Sequence, residues 1–339
     1  MLPQSPPEPL NVQGKPRRIG VEIEFAGLPP QQTGELVRDL FGGELQQVSP
    51  HRLKVVNTHW GEFIIELDTQ YAHPDNRMLK QTPHSDTEWE RQRHQMRMEF
   101  HHKTRELIGD VVMGLVPTEI VCPPVPWNEL DKLDNLFAAL HAHGAKGTDA
   151  SLLYGFGLHL NPEVASLETD YLLRQLQAYL LMAAWLRKEI DIDITREVLP
   201  HANPFPKHYA IQVLSPDYAP DLDTLIADYI SFNPTRNREL DLYPLFAFLR
   251  PDYPDPLIHT SLIKPRPTFH YRLPNAQLSQ RGWGAVMEWN RWVAVERLAA
   301  DRKELRERAG RFVSLNTQSL MTRMAGKLRS WIKEVRSPS

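Results

Sequence analysis

The stretch RRIGVEIEFAG at 17–27 constrains this chain more than any other. Val21, Ile23 and Phe25 alternate with Glu22 and Glu24, the period of a β-strand with one apolar face. The two carboxylates then stand on the same face, about 7 Å apart. Like charges at that spacing are unfavourable unless something cationic sits between or above them. The stretch therefore predicts a sheet that holds a cation on its polar face.

The rest of the chain bounds what such a sheet could belong to. It has 339 residues, room for one large domain or two modest ones. Its 41% hydrophobic and 24% charged residues are ordinary for a soluble globular protein. No apolar run reaches the ~18–20 residues of a membrane span. The opening MLPQSPPEPLNVQGKPRR lacks the apolar segment of a secretory signal, and residues 1–16 read as a flexible Pro-rich lead-in. With one cysteine, Cys122, no internal disulfide can form, and we expect a cytoplasmic protein. Cys122 sits in an apolar context and reads as a small core residue.

The net charge of −3 conceals an asymmetry. Residues 276–339 carry 13 Lys and Arg against 6 Asp and Glu; the remainder carries 26 against 36. A basic, solvated helical extension on an acidic body accounts for this. No nucleic-acid motif accompanies it, so no nucleic-acid partner is expected.

Local patterns predict the elements. A short helix near 31–41 follows the first strand, with Gly42-Gly43 as a turn. VSPHRLKVVNTHWGEFIIELDT reads as two strands joined at Trp60-Gly61, and 74–109 as a long surface helix or an insertion. VVMGLVPTEIVCPP is a strand stopped by Pro123-Pro124. NELDKLDNLFAALHAHG carries a helical apolar stripe ending at Gly144, YGFGLHLNPE is a strand, and ETDYLLRQLQAYLLMAAWLRKEI is a largely buried helix. Over 200–275 the chain is rich in Pro and Tyr, with RNRELDLYPL and PTFHYRLPN as its ordered parts; 283–336 is helical. Strands paired by short turns and interrupted by helices imply an α+β fold with a mainly antiparallel sheet.

Polar residues recur on these strands where apolar ones are expected: Glu22 and Glu24, Glu66 and Asp68, Glu119, His159, then His270 with Arg272. Singly, each has an ordinary reading as a surface ion-pair partner or a satisfied core histidine. Several buried carboxylates are plausible only if they converge on cations. Oxygen ligands with an occasional imidazole suit Mg²⁺ or Mn²⁺, and magnesium sites commonly complete their shell with phosphate oxygens. That chemistry points to ATP.

The segments GVEIEFAG, FIIELD, TEIVCPP, GLHLNPE and PTFHYRLPN follow one another in an order that resembles the amidoligase family, carboxylate–amine ligases related to glutamate–cysteine ligase and glutamine synthetase. The resemblance covers roughly 17–275. It implies a catalytic domain over 17–275 and a helical extension over 276–339. The fold implied is a curved antiparallel sheet of the glutamine synthetase and glutamate–cysteine ligase type, flanked by helices. ATP and magnesium ions would lie against its concave face.

Residue by residue, the resemblance implies that Glu24, Asp68 and Glu119 hold one metal, and that Glu22 and His159 help hold a second. Asn161 would contact substrate or phosphate, and Arg272 would bind a phosphate. His270 stands where the family usually has Glu. An imidazole can still coordinate a metal, so the site is expected to persist with less negative charge, with a Mn²⁺ preference, a single metal or lost activity as alternatives. Arg238 has two readings, a carboxylate or phosphate clamp and an ion pair with Glu239 or Asp241. Lys264 and Arg266 are further candidates for neutralising phosphate.

The activity implied is ATP-dependent amide-bond formation between small-molecule or peptide carboxylates and amines, through an acyl phosphate. No G-x-S-x-G elbow and no Walker-type phosphate loop offers another route. Two alternatives stay open: a metal-dependent hydrolase using the same acidic cluster, and a nucleotide-binding module that no longer turns over.

Overall fold

The structure is a computed structural model that describes residues 1–67, 116–150, 156–191, 202–260 and 262–317. Asp68 and the 74–109 stretch lie outside the described residues, as does the chain beyond 317.

The first strand, β1 (Arg18–Phe25), buries Ile19, Val21, Ile23 and Phe25 completely, while Gly20, Glu22 and Glu24 face the other way. This is the alternation that the sequence predicts. β1 lies near the middle of an open sheet. To one side come β5 (Thr118–Val121), β4 (Phe63–Leu67), β3 (Arg52–Val56) and β2 (Glu44–Ser49). To the other come β7 (Leu158–Pro162), β9 (His270–Tyr271) and β8 (Leu240–Asp241). The short β6 (Val125–Pro126) also pairs with the start of β1. Every pairing between these strands is antiparallel. The fold is thus α+β with a mostly antiparallel, unclosed sheet.

Helices cover the apolar face. They are α1 (Pro30–Phe41), α2 (Leu130–Ala142), α3 (Thr169–Ile190) and α7 (Ala285–Ala300), and each carries apolar residues into one core. α2 buries Leu130, Leu133, Leu136, Phe137 and Leu140, the stripe expected from its spacing. α7 contributes Trp289 and Trp292, both fully buried. Residues 302–317 continue as helix.

Two regions depart from the pattern expected. ELQQVS at 44–49 is a strand that hairpins onto β3, although the sequence reading starts the strand only at Val48. All its side chains are exposed or half-exposed, so no apolar alternation marks it. The stretch 200–275 also contains α4 (Lys207–Val213), α5 (Leu222–Phe232) and α6 (Tyr243–Leu249). α5 is capped by Asp221, which accepts the Thr224 backbone N–H at 2.8 Å, and it buries Leu225, Ile226, Tyr229 and Ile230 at helical spacing.

The N-terminal residues touch this body at several points. Trp289 Nε1 donates to the Gln4 carbonyl at 3.0 Å, and the Arg17 backbone N–H donates to the Pro9 carbonyl. No helix among the described residues is long and apolar enough to cross a membrane.

Candidate functional site

Antiparallel register brings side chains on one face into rows, and two such rows cross the polar face of this sheet. In the first, Glu24 of β1 stands opposite Glu119 of β5, which stands opposite Glu66 of β4. Glu66 faces Arg52 of β3 and pairs with its Nε at 3.2 Å. Glu24 is nearly buried, and its Oε2 accepts the Gly157 N–H at 3.0 Å. In the second row, Glu22 stands opposite His159 of β7, beside β9, where Arg272 follows Tyr271.

Glu22 is the hub. His159 Nδ1 lies 3.2 Å from its Oε2, and Asn161 Nδ2 donates to its Oε1 at 2.9 Å. The Asn161 orientation is set by this contact, because a carboxylate oxygen can only accept. Asn161 Oδ1 then receives two donors, Arg266 Nη2 at 2.7 Å and His270 Nδ1 at 2.8 Å. Each imidazole therefore donates Nδ1–H to an oxygen, and in its neutral tautomer it would keep the Nε2 lone pair. The two rings meet edge to face with centroids 5.2 Å apart. Gly20, opposite Asn161, makes this possible: a Cβ there would approach the Asn161 Cβ to 3.2 Å.

Glu22, His159 and His270 each offer one donor atom within 4.8 Å of the others, a set that can hold a metal ion. Burial by itself would raise the Glu22 carboxyl. The His159 hydrogen bond and the nearby Arg266 guanidinium instead hold it well below the usual carboxylate range. Burial also pushes the His270 imidazole far below its ordinary value, against the pull of Glu22. With His270 neutral, the Arg266 guanidinium and the hydrogen bonds from His159 and Asn161 are what stabilise the Glu22 carboxylate. One carboxylate and two imidazoles with available lone pairs fit a divalent cation.

Guanidinium groups surround this set. Arg266 Nη2 lies 3.7 Å from Glu22 Oε1. Burial lowers the Arg266 guanidinium, Glu22 opposes that, and Arg236 and Arg272 add to the lowering. Arg236 pairs with the fully buried Asp241 at 3.1 Å, and Arg272 donates to the Arg236 carbonyl at 2.7 Å. Burial raises the Asp241 carboxyl, with Arg236 and Arg272 opposing.

The structure thus brings Glu22, Asn161, His159, His270, Arg266 and Arg272 together, with Glu24 and Glu119 in the adjoining row. It does not bring every candidate in. Lys264 is exposed, and its backbone carbonyl accepts from Arg266. Arg238 directs Nη1 to the Pro204 carbonyl at 2.6 Å. The partners considered for it have their closest ion pairs elsewhere, Glu239 with Arg187 and Asp241 with Arg236. Arg236 is a site neighbour without a role in the sequence reading, and Asp241, considered there as a partner of Arg238, pairs with Arg236 instead. RNREL offers two arginines at strand spacing, and nothing in it separates Arg236 from Arg238. Cys122 is buried, and burial pushes its thiol up, away from the reactive form.

A family model described as "Putative amidoligase enzyme" matches residues 15–294. No curated protein and no solved structure matches the chain.

Proposed function

The chain belongs to this amidoligase family, and from that premise we propose that it joins a carboxylate to an amine at the expense of ATP. The observation that carries the reading is the proximity of a metal-donor set on the sheet to three arginines of the adjoining loops. A cation-binding group beside guanidiniums suits a polyphosphate and an acidic substrate held together.

In this reaction the substrate carboxylate oxygen attacks the γ-phosphorus of ATP, the bond to ADP breaks, and an acyl phosphate forms. The amine then attacks the acyl carbon, the bond to phosphate breaks, and the nitrogen releases a proton. The chain's own work is positioning and charge neutralisation. Arg266 and Arg272 would hold phosphate oxygens, with Arg236 supporting Arg272 through its carbonyl. Glu22, His159 and His270 would hold one divalent ion, and Glu24 and Glu119 would contribute to another. When bound, such ions screen phosphate charge. Asn161 keeps His270, Arg266 and Glu22 in one arrangement.

The test begins with thermal unfolding in ATP with Mg²⁺ or Mn²⁺. A ligand at ~100 times its Kd stabilises by about 2.7 kcal/mol. We expect a metal-dependent rise in midpoint, reduced in Arg272→Ala. ADP release should then require both a carboxylate and an amine, screened as amino acids and peptides. ATP turnover that ignores both would favour a hydrolase, and binding without turnover would favour a nucleotide-binding module.

A further inference from the structure

We infer that the Glu22–His159–His270 set selects a divalent ion that accepts imidazole more readily than Mg²⁺ does, Zn²⁺ or Co²⁺ most strongly and Mn²⁺ to a lesser degree, and that His270 is the residue that decides it. Two of the three are imidazole nitrogens, and only Glu22 is anionic. Mg²⁺ is a hard ion bound mainly by charged oxygen, and it gives up water reluctantly. First-row transition ions and zinc gain more from imidazole.

The neighbours strengthen this bias. Arg266 lies 3.7 Å from the one carboxylate and donates to Asn161, which in turn donates to the same carboxylate oxygen. Glu22's charge is therefore already shared with a guanidinium, which weakens a site that depends on charge. An imidazole binds a metal as a neutral nitrogen donor, so the guanidinium weakens the two histidines' contribution less than the carboxylate's. A set of two histidines and one carboxylate is also a common arrangement for transition ions.

The inference rests on the ligase reading only for the presence of a divalent ion here. The test therefore uses the metals alone, on the full chain without nucleotide or substrate, so that either reading can fail while the other stands. Mn²⁺ and Mg²⁺ affinities are measured by calorimetry, and Co²⁺ is added for its visible absorption. We expect Mn²⁺ to bind tighter than Mg²⁺ by roughly tenfold or more, and Co²⁺ bands that mark nitrogen ligation. His270→Glu should raise Mg²⁺ affinity, narrow the ratio and alter the Co²⁺ spectrum. His270→Gln, closer in bulk to the native side chain, should lower Mn²⁺ affinity without helping Mg²⁺. Circular dichroism would establish that each variant is folded. Equal or tighter Mg²⁺ binding in the wild type overturns the inference. So does a ratio that is the same in a folded His270→Glu protein, or no metal binding at all.

Discussion

Arg17 and Glu296 close a two-pronged ion pair inside the protein, with Nη1–Oε2 at 2.8 Å and Nη2–Oε1 at 2.6 Å. Their side chains are 0% and 2% exposed, so neither charge reaches water. Burial would lower the Arg17 guanidinium, but Glu296 more than offsets this and raises it. Arg17 Nε donates to the Glu163 carbonyl, and Trp292 Nε1 donates to Glu296. The residue just before β1 is thereby tied to β7 and α7. Removing one partner strands the other charge, so Glu296→Ala should cost about 3–5 kcal/mol in urea unfolding. A change under 1 kcal/mol would mean that water reaches Arg17 in the variant.

Arg236 has a structural role beside the site. It compensates the fully buried Asp241, so Arg236→Ala should destabilise by about 3–5 kcal/mol in urea unfolding. A loss under 1 kcal/mol would mean that Asp241 takes up a proton or finds another cation in the variant.

Glu24 needs a careful substitution. Its carboxylate accepts from Gly157, so Glu24→Ala would leave that N–H without this partner. Glu24→Gln can still accept there but lacks the charge. We expect Glu24→Gln to keep a wild-type unfolding midpoint and to lose metal-dependent ATP turnover. Full turnover would take Glu24 out of the metal-binding group.

Asp134 supplies a pH dependence. It accepts the Val286 N–H at 3.2 Å at the start of α7, and its carboxyl is pushed up to about 6, chiefly by burial, with the Val286 and Ala285 N–H groups opposing. A folded-state pKa above the unfolded value means that the native protein holds the extra proton. The ionised form therefore costs stability above about pH 6, and the cost is relieved as pH falls toward 4. Asp134→Asn should be more stable than wild type at pH 7.5, with the advantage shrinking through this window. An advantage that is constant from pH 7.5 to 4 would show that Asp134 does not titrate there.

What the sequence discloses follows from how many residues carry each signal. β1 and α2 repeat their period over several turns or pleats, so their apolar faces are readable. β8 and β9 are two residues each, and they become strands only through the partners they meet. The site divides in the same way. Glu22 and Glu24 are visible because charge interrupts an apolar alternation. Arg236 is not, because its importance comes from Asp241, five residues on and buried by the fold. His270 is visible as a departure from a resembled motif, but its bond to Asn161 is a tertiary fact. α5 carries a capped apolar stripe that periodicity could have found; the Pro- and Tyr-rich surroundings obscured it.

The central position of β1 has a consequence for how this protein is made. Its neighbours β5 and β7 begin only at Thr118 and Leu158, 93 and 133 residues after Phe25, so its pairing is long-range and slow. Until they emerge from the ribosome, a strand bearing Ile19, Val21, Ile23 and Phe25 has open edges, the kind of segment that associates with other nascent chains. Glu22 and Glu24 interrupt that segment with two like charges, which oppose the stacking of one copy on another. The pair that costs energy in the finished sheet thus acts as a gatekeeper against aggregation while the sheet is still incomplete.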